Sequence, residues 1–256
     1  MIKPLTLIFL SLFLLSGCSL LGSAKDTKKL VADGLTPKEL YEQAESKVFA
    51  GSIDQAIEKY ELIVASYPDS KYAIQARLDI AYNLYKRKKY NRAILELNQF
   101  IKKYPDRVPT PYAYYLRGVI AEAKSKSALD KLITDTAQRD VESIGDAYKY
   151  YVLLIEDFPD SKYSEEAKAK LTGLRNILAK HEFYVALYYT RIGSNIAAIN
   201  RSKYIIENYP NSSSIPDSLH LMAFNYDEIN AKKLAKDVRT VLSSSYPSYS
   251  PSYSIN

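Results

Sequence analysis

Apolar side chains return at helical intervals along most of this chain. Ala56, Tyr60 and Ile63 are four and three residues apart, as are Ala93, Leu97 and Phe100; that spacing stacks side chains on one face of an α-helix. Further on, Ala167, Leu171, Leu174, Leu178, Val185 and Tyr189 form a stripe near helical period with no proline to interrupt it. Together with the breaks at proline, the pattern predicts five pairs of helices, over about 37–67, 72–104, 111–158, 163–209 and 216–243. Glycine is sparse and Ala, Lys, Glu and Leu are abundant, which suits helices rather than sheets.

The breaks themselves are periodic. An aromatic residue precedes proline at Tyr67-Pro68, Tyr104-Pro105, Phe158-Pro159, Tyr209-Pro210 and Tyr246-Pro247, with proline spacings of 37, 54, 51 and 37. Twelve residues before each proline stands an alanine: Ala56, Ala93, Ala147, Ala198 and Ala235. Twelve before those stand Ala44, Ala81, Ala186 and Ala223, whereas the third unit reaches its small residue, Gly118, only after 17 extra positions. A small residue on each helix lets two axes approach to ~8–10 Å, where a larger side chain would wedge them apart. Proline then ends the second helix. This is the pattern of the tetratricopeptide repeat (TPR), so the expected fold is all-α, a right-handed α-solenoid of five TPR-like helix pairs. Asp69, Asp106, Asp160 and Asn211 follow their prolines; each is expected to begin a turn and help cap the next helix.

Two insertions disturb the period. The 17 extra residues fall near Lys124 to Arg139, in the polar stretch "SKSALDKLITDTAQRD", read as a loop with a short helical piece. Fourteen more precede Ala186; they amount to almost four turns, so a longer first helix keeps its face towards the stack. The solenoid spans 37–243, with an N-terminal half of about 37–110 and a C-terminal half of about 111–243. Beyond it, 244–256 is a Ser/Tyr/Pro-rich low-complexity tail, expected to be mobile because its composition cannot bury a core.

The N-terminus follows a different pattern. Lys3 is followed by an almost unbroken apolar run from Leu5 to Leu15, too short to span a membrane and fit for a secretory signal. Leu15-Ser16-Gly17-Cys18 resembles the lipobox of bacterial lipoproteins, in which the chain is cut before the cysteine and the thiol is acylated. Residues 1–17 are then a signal peptide and 18–36 a polar lipidated tether. Cys18 is the only cysteine, and acylation would remove it from disulfide, metal and nucleophile chemistry. Two or three acyl chains anchor a soluble domain stably, at ~0.8 kcal/mol per buried methylene.

Composition narrows the function classes. The net charge of +6 is modest and its Lys/Arg are interspersed with Asp/Glu, so nucleic acid is not an expected partner. Only His181 and His220 are available, in different repeats, and both read as residues of solvated helix faces. No HExxH, GxSxG, CxxC or GxxxxGK[ST] spacing occurs, so no catalytic residue, metal or cofactor is expected. Glu165-Glu166 and Asp227-Glu228 point to different helix sides. Most of the 24 tyrosines are read as packing, with the rest lining a peptide groove or partner surface on the first helices. Arg117, beside Tyr115, is read either as a clamp for a peptide's backbone or carboxylate or as half of an intramolecular ion pair.

The stretches "PYAYYLRG", "QRD", "FPDSKYSEEAKAKL" and above all "LAKHEFYVALYYTRIGSNIAAINRSKYIIENYP" resemble the BamD family, also called ComL or YfiO, over nearly the whole mature chain. The resemblance implies a non-enzymatic periplasmic scaffold, lipid-anchored on the inner leaflet of the outer membrane, within the β-barrel assembly (BAM) complex. It implies docking of a BamA-like barrel subunit's periplasmic domain by the C-terminal repeats, and binding of unfolded outer-membrane protein substrates by the N-terminal repeats, with other Bam lipoproteins as further partners. Carried across by "LYYTR" and "INR", it puts Tyr188, Tyr189 and Arg201 near the partner-facing half, and Arg139 and Asp140 at the inserted loop. Val141 stands where the family often has proline. The alternative reading is another TPR lipoprotein, such as a pilotin for a secretin or pilus.

Overall fold

Helix α1 (Pro37–Phe49) begins where Thr36 and Glu39 satisfy each other's orphan donors. The Thr36 hydroxyl accepts from the Glu39 N–H at 3.3 Å, and the Glu39 carboxylate accepts from the Thr36 N–H at 2.8 Å, a reciprocal capping box. The computed structural model describes residues 34–126 and 140–255. Within them the chain continues as α2 (Ile53–Ser66), α3 (Lys71–Lys86), α4 (Tyr90–Lys103), α5 (Thr110–Lys124), α6 (Val141–Asp157), α7 (Lys162–Arg191), α8 (Asn195–Asn208), α9 (Ile215–Glu228) and α10 (Lys232–Ser245). No strand occurs among the described residues. The expected signal peptide, Cys18, the expected tether up to residue 33 and most of the long insertion lie outside them.

Each helix packs on its neighbours in sequence, and the odd-numbered helices also touch the next odd-numbered one. No comparable contact joins the even-numbered helices, so the stack curves with α1, α3, α5, α7 and α9 on its concave side. The small residues of the repeat sit at the crossings: Ala44, Ala56, Ala81, Ala93, Ala147, Ala186, Ala198 and Ala235 are fully buried. Gly118 is the tightest case. A Cβ there would lie 2.4 Å from the Tyr151 ring on α6, so only glycine fits.

The aromatic of each aromatic-Pro pair is the C-cap of an even-numbered helix, with φ between −125° and −137°. Proline disfavours the helical conformation in the residue before it. Capping of the next helix differs from expectation. Ser70 and Ser161, one residue beyond the predicted Asp69 and Asp160, supply the side-chain oxygens for α3 and α7. Within four of the pairs the turn is tight, and Gly51, Lys88, Gly193 and Asn230 adopt positive φ of 58–73° at equivalent places. The following N–H bonds back five residues, for example Ser52 to the Lys47 carbonyl at 2.9 Å, as in a Schellman ending.

The stack holds three apolar clusters. One runs from Leu40 to Ile120, a second from Ala121 to Leu178 and a third from Ala179 to Leu242. Helix α7, 30 residues long, belongs to the last two. The predicted lengthening of the fourth repeat is thus one unbroken helix.

Candidate functional site

Tyrosines on the concave helices pair across the gaps between repeats. Tyr41 of α1 lies 5.6 Å from the Tyr72 ring of α3 and donates to Asp79 Oδ2 at 2.6 Å. Tyr112 and Tyr115 of α5 each lie 5.5 Å from the Tyr163 ring of α7, and Lys170 bridges to Glu122 at 2.8 Å beside them. Burial, then the nearby Glu166, pushes the Tyr115 phenol up to about 12. These rings are struts between repeats, matching the packing reading of most tyrosines.

A hollow of about 740 Å³ lies at the C-terminal end of the concave face. His181, Tyr184, Tyr188, Tyr189 and Arg191 of α7 form one side, and Tyr253 and Ser254 of the tail border it. Tyr188 is 59% exposed and meets Tyr189 edge to face, ring centres 5.8 Å apart. A mostly aromatic hollow ringed by hydroxyls, an imidazole and a guanidinium suits an extended peptide, whose apolar side chains and main-chain carbonyls need both.

The tail corrects the expectation of a mobile end. Residues 247–255 form no helix, yet Tyr249, Tyr253 and Ile255 pack on the third apolar cluster. Tyr249 donates to Asp217 Oδ1 at 2.7 Å, and the Tyr253 hydroxyl lies 2.8 Å from His220 Nδ1. Arg191 donates to the carbonyls of Ser254 at 2.6 Å and Ile255 at 3.3 Å. His220 is therefore half-buried beneath tyrosine rings, not on a solvated face, and burial pushes its pKa down. A low-complexity sequence needs no core of its own when it docks on one already built. Composition hid this; the signal was two tyrosines four residues apart, Tyr249 and Tyr253.

The other residues singled out from sequence scatter. Arg117 is 8% exposed, its guanidinium 4.0 Å from the ring centre of Tyr150 and 4.9 Å from that of Tyr114, and it donates to Asn98 Oδ1 at 2.9 Å. At that burial Arg117 holds two aromatic rings and an amide. Asp140 is the N-cap of α6: its carboxylate accepts from the Ser143 N–H at 3.1 Å, and the Ser143 hydroxyl holds its pKa below the usual range. Arg139, like Cys18, lies outside the described residues. Arg201 of α8 is exposed and pairs with Glu182 of α7 at 2.9 Å, outside the cavity that Tyr188 and Tyr189 share. Sequence reasoning missed Arg191, Asp217 and Tyr253.

Among the described residues no cluster of His, Cys, Asp and Glu could hold a metal, and no helix is long and apolar enough to cross a membrane. Residues 33–242 match the family described as "YfiO: Outer membrane lipoprotein". The chain is 33% identical over 234 residues to the outer membrane protein assembly factor BamD of Neisseria gonorrhoeae, covering 91% of this chain and 87% of that one. It is 31% identical over 249 residues to the BamD of Xylella fastidiosa (strain Temecula1 / ATCC 700964), covering 97% and 83%. The Vibrio cholerae BamD is 29% identical over 221 residues, covering 86% and 89%. A shared sequence that runs through all five helix pairs makes this chain a member of the YfiO family of outer membrane lipoproteins.

Proposed function

We propose that this protein is an outer membrane protein assembly factor, a scaffold and not a catalyst. In this reading acylated Cys18 holds it on the periplasmic face of the outer membrane, and the tether from 18 to 36 lets the solenoid stand off the lipid. The C-terminal repeats dock the periplasmic domain of a BamA-like barrel subunit, and the concave face receives unfolded outer-membrane proteins. Family membership across residues 33–242 carries the reading. The tyrosine-lined concave face supports it, because rings with hydroxyl tips suit extended chains of mixed polarity.

Affinity purification of the chain from membranes tests the role. The expected outcome is recovery of a barrel-forming subunit, with depletion of the chain lowering the porins of the outer membrane. Normal porin levels after depletion would overturn the role, and recovery of a secretin instead would assign the chain to that machinery. Growth with radiolabelled palmitate checks the anchor: label is expected on the chain and absent from a Cys18→Ser variant.

A further inference from the structure

The contacts of the tail have the form of a ligand held by a receptor. Its side chains enter specific places: the Tyr253 ring stands edge-on to Phe183, ring centres 4.8 Å apart, while its hydroxyl meets His220 Nδ1 and donates to the Asp217 carbonyl at 3.3 Å. Tyr249 takes the Asp217 carboxylate. Its backbone is held separately, by the two bonds from Arg191 to successive carbonyls, which any extended chain could accept. All these receptor groups lie on α7 and α9, the concave helices.

The tail is also superficial. Pro247, Ser248, Ser250, Pro251, Ser252 and Ser254 are exposed, and Tyr249, Tyr253 and Ile255 are only partly covered. The solenoid's small residues, by contrast, are fully buried at the helix crossings. The hollow that Tyr253 and Ser254 border is also lined by Tyr184, Tyr188 and Tyr189 of α7, so the strip carries aromatic surface besides the places that the tail's tyrosines take.

We propose that the strip between α7 and α9 is a binding site for an extended polypeptide segment bearing tyrosines four residues apart, and that residues 249–255 are its intramolecular occupant, displaced when a partner segment of the same chemistry competes. A short linker from α10 gives the tail an effective concentration on the order of millimolar. A competitor in trans then binds the intact chain weakly and a tail-released chain well. The site lies on the concave face that the proposed function gives to unfolded chains and in that respect rests on it, but peptide binding to α7 and α9 is read whether or not the assembly role holds.

The test is fluorescence anisotropy of a labelled synthetic peptide, PSYSPSYSIN, with the full chain. The chain carrying Tyr249→Ser and Tyr253→Ser is expected to bind the peptide at least tenfold more tightly than the unaltered chain. Adding Arg191→Ala to that variant is expected to remove most of the gain, as is replacing both peptide tyrosines by serine. Equal binding to both chains overturns the proposal, as does absence of binding to a doubly substituted chain that keeps its helical circular dichroism. If that chain unfolds, Tyr253→Phe decides: it keeps the ring but drops the hydroxyl bonds, and binding no tighter than that of the unaltered chain overturns the proposal.

Discussion

Gly118 and Tyr151 share one crossing, where the ring of one occupies the space a Cβ on the other would need. Gly118→Ala is expected to cost about 1–3 kcal/mol through overpacking, read from urea unfolding. On a Tyr151→Leu background most of that cost should vanish, because the ring that resists the methyl is gone. The period of the sequence pointed to a small residue at 118, and the structure adds why alanine, sufficient in the other repeats, fails in this one. Arg201 is a different kind of residue, exposed and joined to Glu182 across α7 and α8. With Arg201 open to solvent and Glu182 mostly covered, the pair adds about 1 kcal/mol, so Arg201→Leu should lower unfolding stability only slightly. If the family's partner-facing surface includes it, the same substitution weakens co-purification of the barrel subunit.

Helices were legible in the sequence because each carries its own signals: small residues at the crossings, aromatic-Pro at the ends, apolar spacing of three and four. The candidate site was legible only in part. Tyr188 and Tyr189 stand out by their place on a first helix, but the groups facing them come from the tail, and no local pattern links residue 253 to residue 183. Docking of that segment carries a pH dependence. His220 sits beneath Tyr249 and Tyr253, with Asp217 favouring its charged form, and burial and Arg239 of α10 opposing it. Its folded pKa lies below the ordinary imidazole value of ~6.5. Above that value the ring is neutral in folded and unfolded chains alike and contributes nothing to pH dependence. As pH falls through ~6.5 towards the lowered value, the unfolded chain takes up the proton first and stability drops. Urea midpoints at neutral and mildly acidic pH should therefore fall further for the unaltered chain than for His220→Gln.

At the scale of the whole molecule, stability in a stack of repeats is carried by neighbours. The first cluster, Leu40 to Ile120, shares no buried residue with the third. Ala44→Leu, which wedges α1 from α2, should speed amide exchange over 37–66 and leave 195–245 protected as before. Uniform acceleration along the chain would instead mean a single cooperative unit. Between those ends lies α7, about 45 Å long at 1.5 Å per residue, its first half in the middle cluster and its second in the last. Most stacks of short helices bend a little at every joint, like a chain of links. Here one rod is spliced through a joint, packed on α5 and α6 at one end and on α8 and α9 at the other, so a shift of the third repeat is expected to be felt at the hollow beside Tyr188 through a single helix.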